Sequence, residues 1–319
     1  MAVIAIDLGG TKSSAALVSP DGSVLIRQKM DITRKSGGLV SEIMQKQIQK
    51  LFTLAQKTDQ KVSAIGVSVP GIYYSQTGHV WAPNIPGWKD YPLQQELQNT
   101  IPEIPVKIDS DRAAYILGET WLGAARGCQN AIFIAVGTGI GAGIMVDGKI
   151  LRGHGDIAGA TGWMSLTPTF RSEYTRFGCF EYHASGDGLA RVARDLVNED
   201  HDYYGLLRNP LPEHISSYDV FEAFNAGDSL AQEVINQAIQ FWGMATANYI
   251  SLFNPEIIIF GGGVFGPAIQ FIPLIIKEAK RWAQPIAFNQ VRIEGSKIGG
   301  EAGLYGAAKI ALSALPEEL

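Results

Sequence analysis

The chain has 319 residues, 46% hydrophobic and 18% charged, which is enough to bury a sizeable core and, at ordinary domain sizes, to form two domains. Its apolar runs, such as residues 257–260 and 272–276, fall far short of the roughly 20 residues needed to cross a bilayer, so no membrane span is expected. A formal charge of -5 without a dense Lys/Arg run argues against a nucleic-acid-binding surface and favours a small-molecule partner.

The opening residues have no basic segment ahead of the apolar ones and no small-residue cleavage site, so a cytoplasmic location is expected. Cys128 and Cys179 are too few for a disulfide framework and fit a reducing compartment.

Residues 3–7 read as a short apolar strand ending at Gly9-Gly10. The chain then returns as a second strand through Val18, turns at Asp21-Gly22, and completes a meander over residues 24–29. Met44, Ile48, Leu51, Phe52 and Ala55 recur at helical spacing, and residues 62–68 read as a buried strand stopped by Pro70-Gly71. A short strand over residues 106–108 leads into a helix from about Asp111 to Trp121.

The opening theme then restarts. Residues 131–136 and 142–146 flank a glycine-rich turn, and the hairpin turn Asp147-Gly148 leads to residues 149–151. Leu230, Val234, Ala238, Phe241, Ala245, Tyr249 and Leu252 mark a long amphipathic helix stopped at Asn254-Pro255, followed by a strand over 257–260 and Gly261-Gly262-Gly263. Helical segments near 267–282 and 301–313, with a strand over 291–294 between them, close the pattern. No low-complexity tether interrupts it, so the domain boundary is expected inside a helix or tight loop near residues 111–119.

Three strands end in glycine-rich turns: Asp7-Leu8-Gly9-Gly10-Thr11-Lys12, Gly137-Thr138-Gly139-Ile140-Gly141 and Gly261-Gly262-Gly263. Glycine admits positive φ and close backbone approach, so successive N–H groups can cradle phosphates, although any one such turn is equally a tight hairpin. Asp7 ends its strand where a carboxylate could hold a magnesium-bound water, or where it could serve the turn by a local hydrogen bond. Asp111 opens a helix, as a cap or as a reactive carboxylate. Neither a Walker loop nor a strand-Gly-x-Gly-x-x-Gly-helix unit is present.

These turns, taken with Ala82-Pro83-Asn84-Ile85-Pro86-Gly87-Trp88, Ser110-Asp111, Gly118-Glu119 and Asn254-Pro255, form a set that resembles the ROK family of bacterial sugar kinases and sugar-responsive repressors across nearly the whole chain. The resemblance implies an α/β, two-lobed actin-like ATPase fold with ribonuclease-H-like cores closing over sugar and ATP. The lobes would be residues 1–115, joined by a C-terminal helix 302–319, and residues 116–301.

It further implies that Asp7, Gly9, Gly10, Thr11 and Lys12 lie near the transferred phosphates, with Asp7 reaching Mg²⁺ indirectly. Thr138 and Gly139 would line a second phosphate loop, and Gly262 and Gly263 the adenosine side. Asn84, Ser110 and Glu181 would shape the sugar pocket, and Asp111 would be the catalytic base. Sugar and ATP are the expected small-molecule partners and a homodimer the expected assembly. The family's repressors carry a winged helix ahead of the phosphate motif, whereas here that motif begins at Asp7, which favours the kinase branch with no nucleic-acid partner.

The chain departs from the family pattern in three places. Ser110 stands where Asn is usual, and Ala160 and Trp163 stand where Glu and His of a Glu-x-Gly-His motif usually hold hydroxyls near the anomeric end of the sugar. Ser172, Tyr174 and Thr175 precede Gly178-Cys179-Phe180-Glu181, leaving one cysteine of the usual structural-zinc motif, so zinc is not expected even allowing for His154 or His183. Trp163 either stacks on a sugar face or fills the space of the lost zinc site. The leading reading is ATP-dependent phosphorylation of a hexose, hexose derivative or polyol. A catalytically silent sugar-binding regulator is disfavoured by the retained Asp111, and a protein-directed ATPase by the segment around Asn84.

Overall fold

The computed structural model describes residues 1–209 and 211–315, which separate into two compact units. The first comprises Met1–Gly127, Arg152–Ala158 and the chain from Lys297 onward, and the second Cys128–Leu151 and Gly159–Ser296.

In the first unit β1 (Ala2–Leu8), β2 (Lys12–Val18) and β3 (Val24–Asp31) form the antiparallel meander. Helix α1 (Gly38–Lys57) then crosses to β4 (Val62–Val69), which pairs parallel to β1. A hairpin of β5 (Ile72–Tyr74) and β6 (His79–Trp81) and the short α2 (Leu93–Gln98) precede β7 (Val106–Ser110) and α3 (Asp111–Leu122). Strand order is β3-β2-β1-β4-β7, with β7 parallel to β4.

β1 is apolar on both faces because both are covered, the usual condition of a buried parallel strand. Ile4, Ile6 and Leu8 pack with Val40, Met44, Ile48 and Leu51 of α1. Val3 and Ala5 pack with Leu304, Ala307, Ala308 and Ala311 of the C-terminal helix α11 (Ala302–Leu312). Asp7 continues the α11 side of that alternation.

The second unit repeats the topology. β8 (Ala131–Val136), β9 (Ile140–Val146) and β10 (Lys149–Ile150) form the meander. α4 (Tyr174–Phe177), α5 (Cys179–Ala184), α6 (Gly186–Glu199), α7 (Ser217–Asn225) and α8 (Ser229–Phe253) follow. β11 (Ile257–Gly261) pairs parallel to β8, and after α9 (Ile272–Lys280) and α10 (Pro285–Phe288) comes β12 (Arg292–Gly295), parallel to β11. The order β10-β9-β8-β11-β12 matches the first sheet strand for strand, so each unit has the ribonuclease-H-like sheet that the resemblance implies.

The long α8 starts at Asp228, whose carboxylate accepts from Leu230 N and Ala231 N, both at 3.0 Å, and stops at Asn254, left-handed at φ 42° ahead of Pro255.

Two expectations shift. α3 lies wholly within the first unit, so the division falls after Gly127 rather than within residues 111–119; α3 packs against α11 at Ala114 and Gly118 and stays with it. The C-terminal helix expected over 302–319 ends at Leu312, and residues 316–319 lie outside the described residues.

The α11 contacts require missing Cβ atoms. A Cβ on Gly306 would lie 1.9 Å from Ala114 O, and one on Gly66 of β4 would lie 2.0 Å from Ala307 O. Gly306→Val should therefore cost about 2 kcal/mol or more in urea unfolding, because the obstacle is backbone and cannot rotate away. Gly300→Ala, with nothing within 4 Å, should change stability by less than about 0.5 kcal/mol. Equal effects from the two would show that the α3–α11 contact yields.

Candidate active site

The carboxyl ends of the first unit's parallel strands carry its polar row. Asp7 pairs in register with Ser68, Ser68 with Asp109, and Val69 with Ser110, so β1, β4 and β7 deliver these residues side by side. This edge is where open α/β sheets bind ligands.

Asp7 is half-buried and accepts from Ser68 Oγ at 3.0 Å. Its carboxylate lies against the backbone of Gly303 in the first turn of α11, where an added Cβ would come within 2.4 Å of Oδ1. Burial pushes the Asp7 carboxyl up to about 6 despite the Ser68 hydrogen bond and the Lys12 charge.

The helix-cap reading of Asp111 is overturned. Ser110 is the N-cap of α3, its Oγ accepting from Ala113 N at 3.3 Å, and Asp111 is the first helical residue. That leaves the Asp111 carboxylate with one local contact, Oδ1 accepting from Arg112 N at 2.7 Å. Burial pushes its carboxyl to about 6, opposed by Arg112 and reinforced by the negative charge of Asp7.

The neighbouring Asp109 differs. Buried, it takes a two-pronged hydrogen bond from Arg152, with Nη1 at 2.7 Å from Oδ1 and Nη2 bonded to Oδ2. Of the two acids flanking Ser110, Asp109 is neutralised by a salt bridge and Asp111 is not. Arg112 reaches Ala158 O and Gly71 O, both at 3.3 Å, tying the Arg152–Ala158 segment to the β4 edge.

Gly9, Gly10, Thr11 and Lys12 form the turn between β1 and β2, closed by Gly9 N donating to Lys12 O at 2.9 Å, with Gly10, Thr11 and Lys12 exposed. Asn84 stands beside this turn: a Cβ on Gly10 would lie 3.8 Å from Asn84 Cβ. The first unit thus gathers Asp7, the β1–β2 glycine turn, Asn84, Ser110 and Asp111.

In the second unit Thr138 and Gly139 occupy the β8–β9 turn, exposed and half-buried respectively. Gly262, at φ 91°, follows β11 so closely that a Cβ would meet Val136 O at 2.4 Å, which places the Gly262-Gly263 turn beside the end of β8. Glu181, from α5, sits beneath the first of these turns. Its Oε2 accepts from Ile140 N at 2.7 Å and lies where a Cβ on Gly139 would fall. Sequence reasoning missed Gly186 at the start of α6, whose N–H donates to Gly137 O at 2.7 Å and brings a helix N-terminus to the same turn. Ser185 with Gly188 three residues on was the available signal.

The region of the family's zinc motif is built from aromatics. Tyr174 Oη and His183 Nε2 are hydrogen-bonded at 2.6 Å, and the imidazole stacks on Phe241 at 4.3 Å between ring centres. Burial holds His183 down to about 4, and Ser172 and Thr175 spend their hydroxyls on local turns. One thiol, Cys179, and a phenol-bonded imidazole do not make a zinc donor set. Trp163 does not fill that space: it is 57% exposed at the end of the 3-10 turn Thr161–Trp163, which overturns the packing reading.

The whole chain matches known sequences. Residues 3–314 match the ROK family model. The chain belongs to the ROK family. A glucokinase of Thermotoga maritima is 31% identical over 313 residues, covering 97% of this chain and 96% of its own. A glucokinase of Halalkalibacterium halodurans is 30% identical over 315 residues, covering 95% and 92%. The crystal structure of a ROK family glucokinase from Streptomyces griseus in complex with glucose and AMPPNP superposes with a TM-score of 0.78 at 28% identity, covering 98% of this chain and 100% of that one. The fold is accordingly the actin-like ATPase fold of the ROK kinases.

The raised Asp111 carboxyl fixes a stability trend. With a folded-state value near 6 against an ordinary 3.8, the native state holds the proton more tightly, so this contribution is present at low pH and lost as pH rises through 6. Asp111→Asn should raise Tm by a few degrees at neutral pH and by much less near pH 4. A fall in Tm at neutral pH would mean that the ionised carboxylate is stabilised by its surroundings.

Proposed function

We propose that this ROK protein transfers the γ-phosphoryl group of ATP to a hydroxyl of a hexose, hexose derivative or related polyol, with Asp111 as general base. The observation that carries the reading is the release of Asp111 from capping duty by Ser110, which leaves a carboxylate of raised basicity beside the phosphate turn of a kinase-family chain.

Asp111 accepts the proton of the sugar hydroxyl as its oxygen bonds to the γ-phosphorus and the bond to the ADP oxygen breaks. A carboxyl near 6 is ionised at neutral pH and more basic than an ordinary aspartate, which suits that transfer. Gly10, Thr11 and Lys12 supply N–H groups and a cation to the transferred phosphate, while Thr138, Gly139, Gly262 and Gly263 serve the nucleotide. Asn84 and Ser110 orient the sugar. Glu181 shapes the second glycine turn by holding Ile140 N.

Asp7 is the residue that would hold Mg²⁺ through a water. Its buried carboxylate, opposed by only one lysine and one hydroxyl, fits a cation partner. When bound, the ion neutralises phosphate charge.

A coupled ADP-release screen with MgATP over sugars, amino sugars, polyols and disaccharides tests the activity. Asp111→Asn should lower kcat by about 100-fold or more with the circular dichroism spectrum unchanged. Wild-type kcat/KM should fall as pH drops below about 6, where the base takes up its proton. Near-normal turnover by the variant on the true substrate would remove Asp111 from the role.

Specificity should depart from that of a glucokinase. Ala160 offers no acceptor where the family usually has a carboxylate, and the exposed Trp163 ring is available to stack on a sugar face. Free glucose should be a poorer substrate than methyl glycosides, disaccharides or polyols, and Ala160→Glu with Trp163→His should shift kcat/KM toward glucose. A wild-type preference for glucose that the double change leaves unmoved would remove both residues from sugar recognition.

A further inference from the structure

Beside the phosphate turn the first unit holds a cavity of about 400 Å³, lined by Gly10, Arg34, Lys35, Ser36, Asn84 and Pro86. Its volume lies in the small-molecule range. The expected sugar residue Asn84 and the phosphate turn account for one wall, whereas the other carries two cations and a hydroxyl that phosphoryl transfer to a neutral sugar does not call for.

That wall is fixed to the first. Gly37 N donates to Pro86 O at 2.8 Å, Trp88 Nε1 donates to Gly37 O at 3.1 Å, and Ile32 N donates to Thr11 O at 2.9 Å. Arg34 is held at φ 60°, a left-handed conformation unusual for a long side chain, by the turn in which Lys35 N donates to Ile32 O at 2.9 Å.

The local positive charge is only partly offset. Among the described residues Arg34 makes no salt bridge. Asp31, the acid of this loop, is held below its usual range by Thr33, whose Oγ1 and N donate to it at 2.6 and 3.0 Å, and by the Lys35 charge, so it stays ionised and sets one negative charge against the two cations. Helix α1, 20 residues long, starts immediately after with no side-chain cap and no acid in its first turn, so its positive end adds to the same field. Solvated surface charge is the ordinary fate of an Arg-Lys pair, but these two line a concavity shared with Asn84.

We propose that this cavity is a subsite for an anionic substituent of the acceptor, a carboxylate, sulfate or phosphate carried on the sugar, bound by Arg34 and Lys35. The identification of the acceptor as a sugar rests on the kinase reading above; the anion preference rests on the cavity.

The test pairs acidic and neutral probes: N-acetylmuramic acid against N-acetylglucosamine, glucose 3-sulfate against glucose, and cellobiouronic acid against cellobiose. Binding is measured by calorimetry at low and high salt and turnover by ADP release, on wild type and on Arg34→Gly with Lys35→Ser. Glycine accepts the left-handed φ without strain, so the variant keeps the loop. At least one acid should bind about tenfold more tightly than its neutral partner, with an advantage that shrinks in salt and disappears in the variant. No acid preference in wild type, or a preference that survives in the variant, overturns the proposal. So does a variant whose loss falls on the affinity for MgATP instead, since the cations would then serve the phosphoryl donor. Salt-sensitive, variant-sensitive acid binding without ADP release from any acceptor would uphold the subsite and sink the kinase reading; ADP release from neutral sugars alone would do the reverse.

Discussion

The close approach of α11 to the first sheet and to α3 is the constraint on which the site depends. Backbone meets backbone at Gly66, Gly118 and Gly306, and the Asp7 carboxylate is laid against Gly303. A helix at ordinary side-chain distance would leave a wet gap there. Packed this tightly, it strips water from Asp7, and desolvation is the largest cause of that carboxyl's shift to about 6. Asp111, at the start of the helix that packs on α11, is raised first by its own burial, with the charge of Asp7 as a smaller contribution.

Three acids stand along one edge, and their environments differ. Asp109 has a guanidinium and is spent on structure. Asp7 has a hydroxyl and a nearby lysine, which suits a group waiting for a cation. Asp111 has one backbone N–H and a neighbouring arginine that only partly offsets its burial, which suits a proton acceptor. Such under-compensated groups lower stability and are kept where chemistry needs them.

Much of this was legible in the sequence because it is local. Apolar runs stopped by glycine turns placed the central strands, the 3.6-residue period placed α1 and α8, and Asn254-Pro255 marked a real left-handed stop. The short β5–β6 hairpin was not anticipated, since three-residue strands carry too little periodicity to register, and helices α2 and α4 to α7 were also missed, most of them only four to nine residues long but α6 fourteen. The candidate site residues were named by motif, but the partners the fold gives them were not legible. Arg152 meets Asp109 across 43 positions, and Ser68 meets Asp7 across 61, separations at which composition and spacing say nothing. Which of Asp109 and Asp111 is free is a tertiary fact. Trp163 was ambiguous for the same reason, because nothing in its neighbourhood of sequence reveals that Tyr174 and His183 already occupy the zinc region.

The dependence of the first sheet on α11 also constrains how the protein is made. During synthesis β1 leaves the ribosome first, while the helix that covers one of its faces is translated after the entire second unit. Until then Val3, Ala5, Ala16 and Ala64 lack the cover of Leu304, Ala307, Ala308 and Ala311. The second unit, closed by elements between Cys128 and Ser296, has all its parts earlier. Order of completion is therefore inverted with respect to chain order: the unit that begins first is the one whose last structural part is made last.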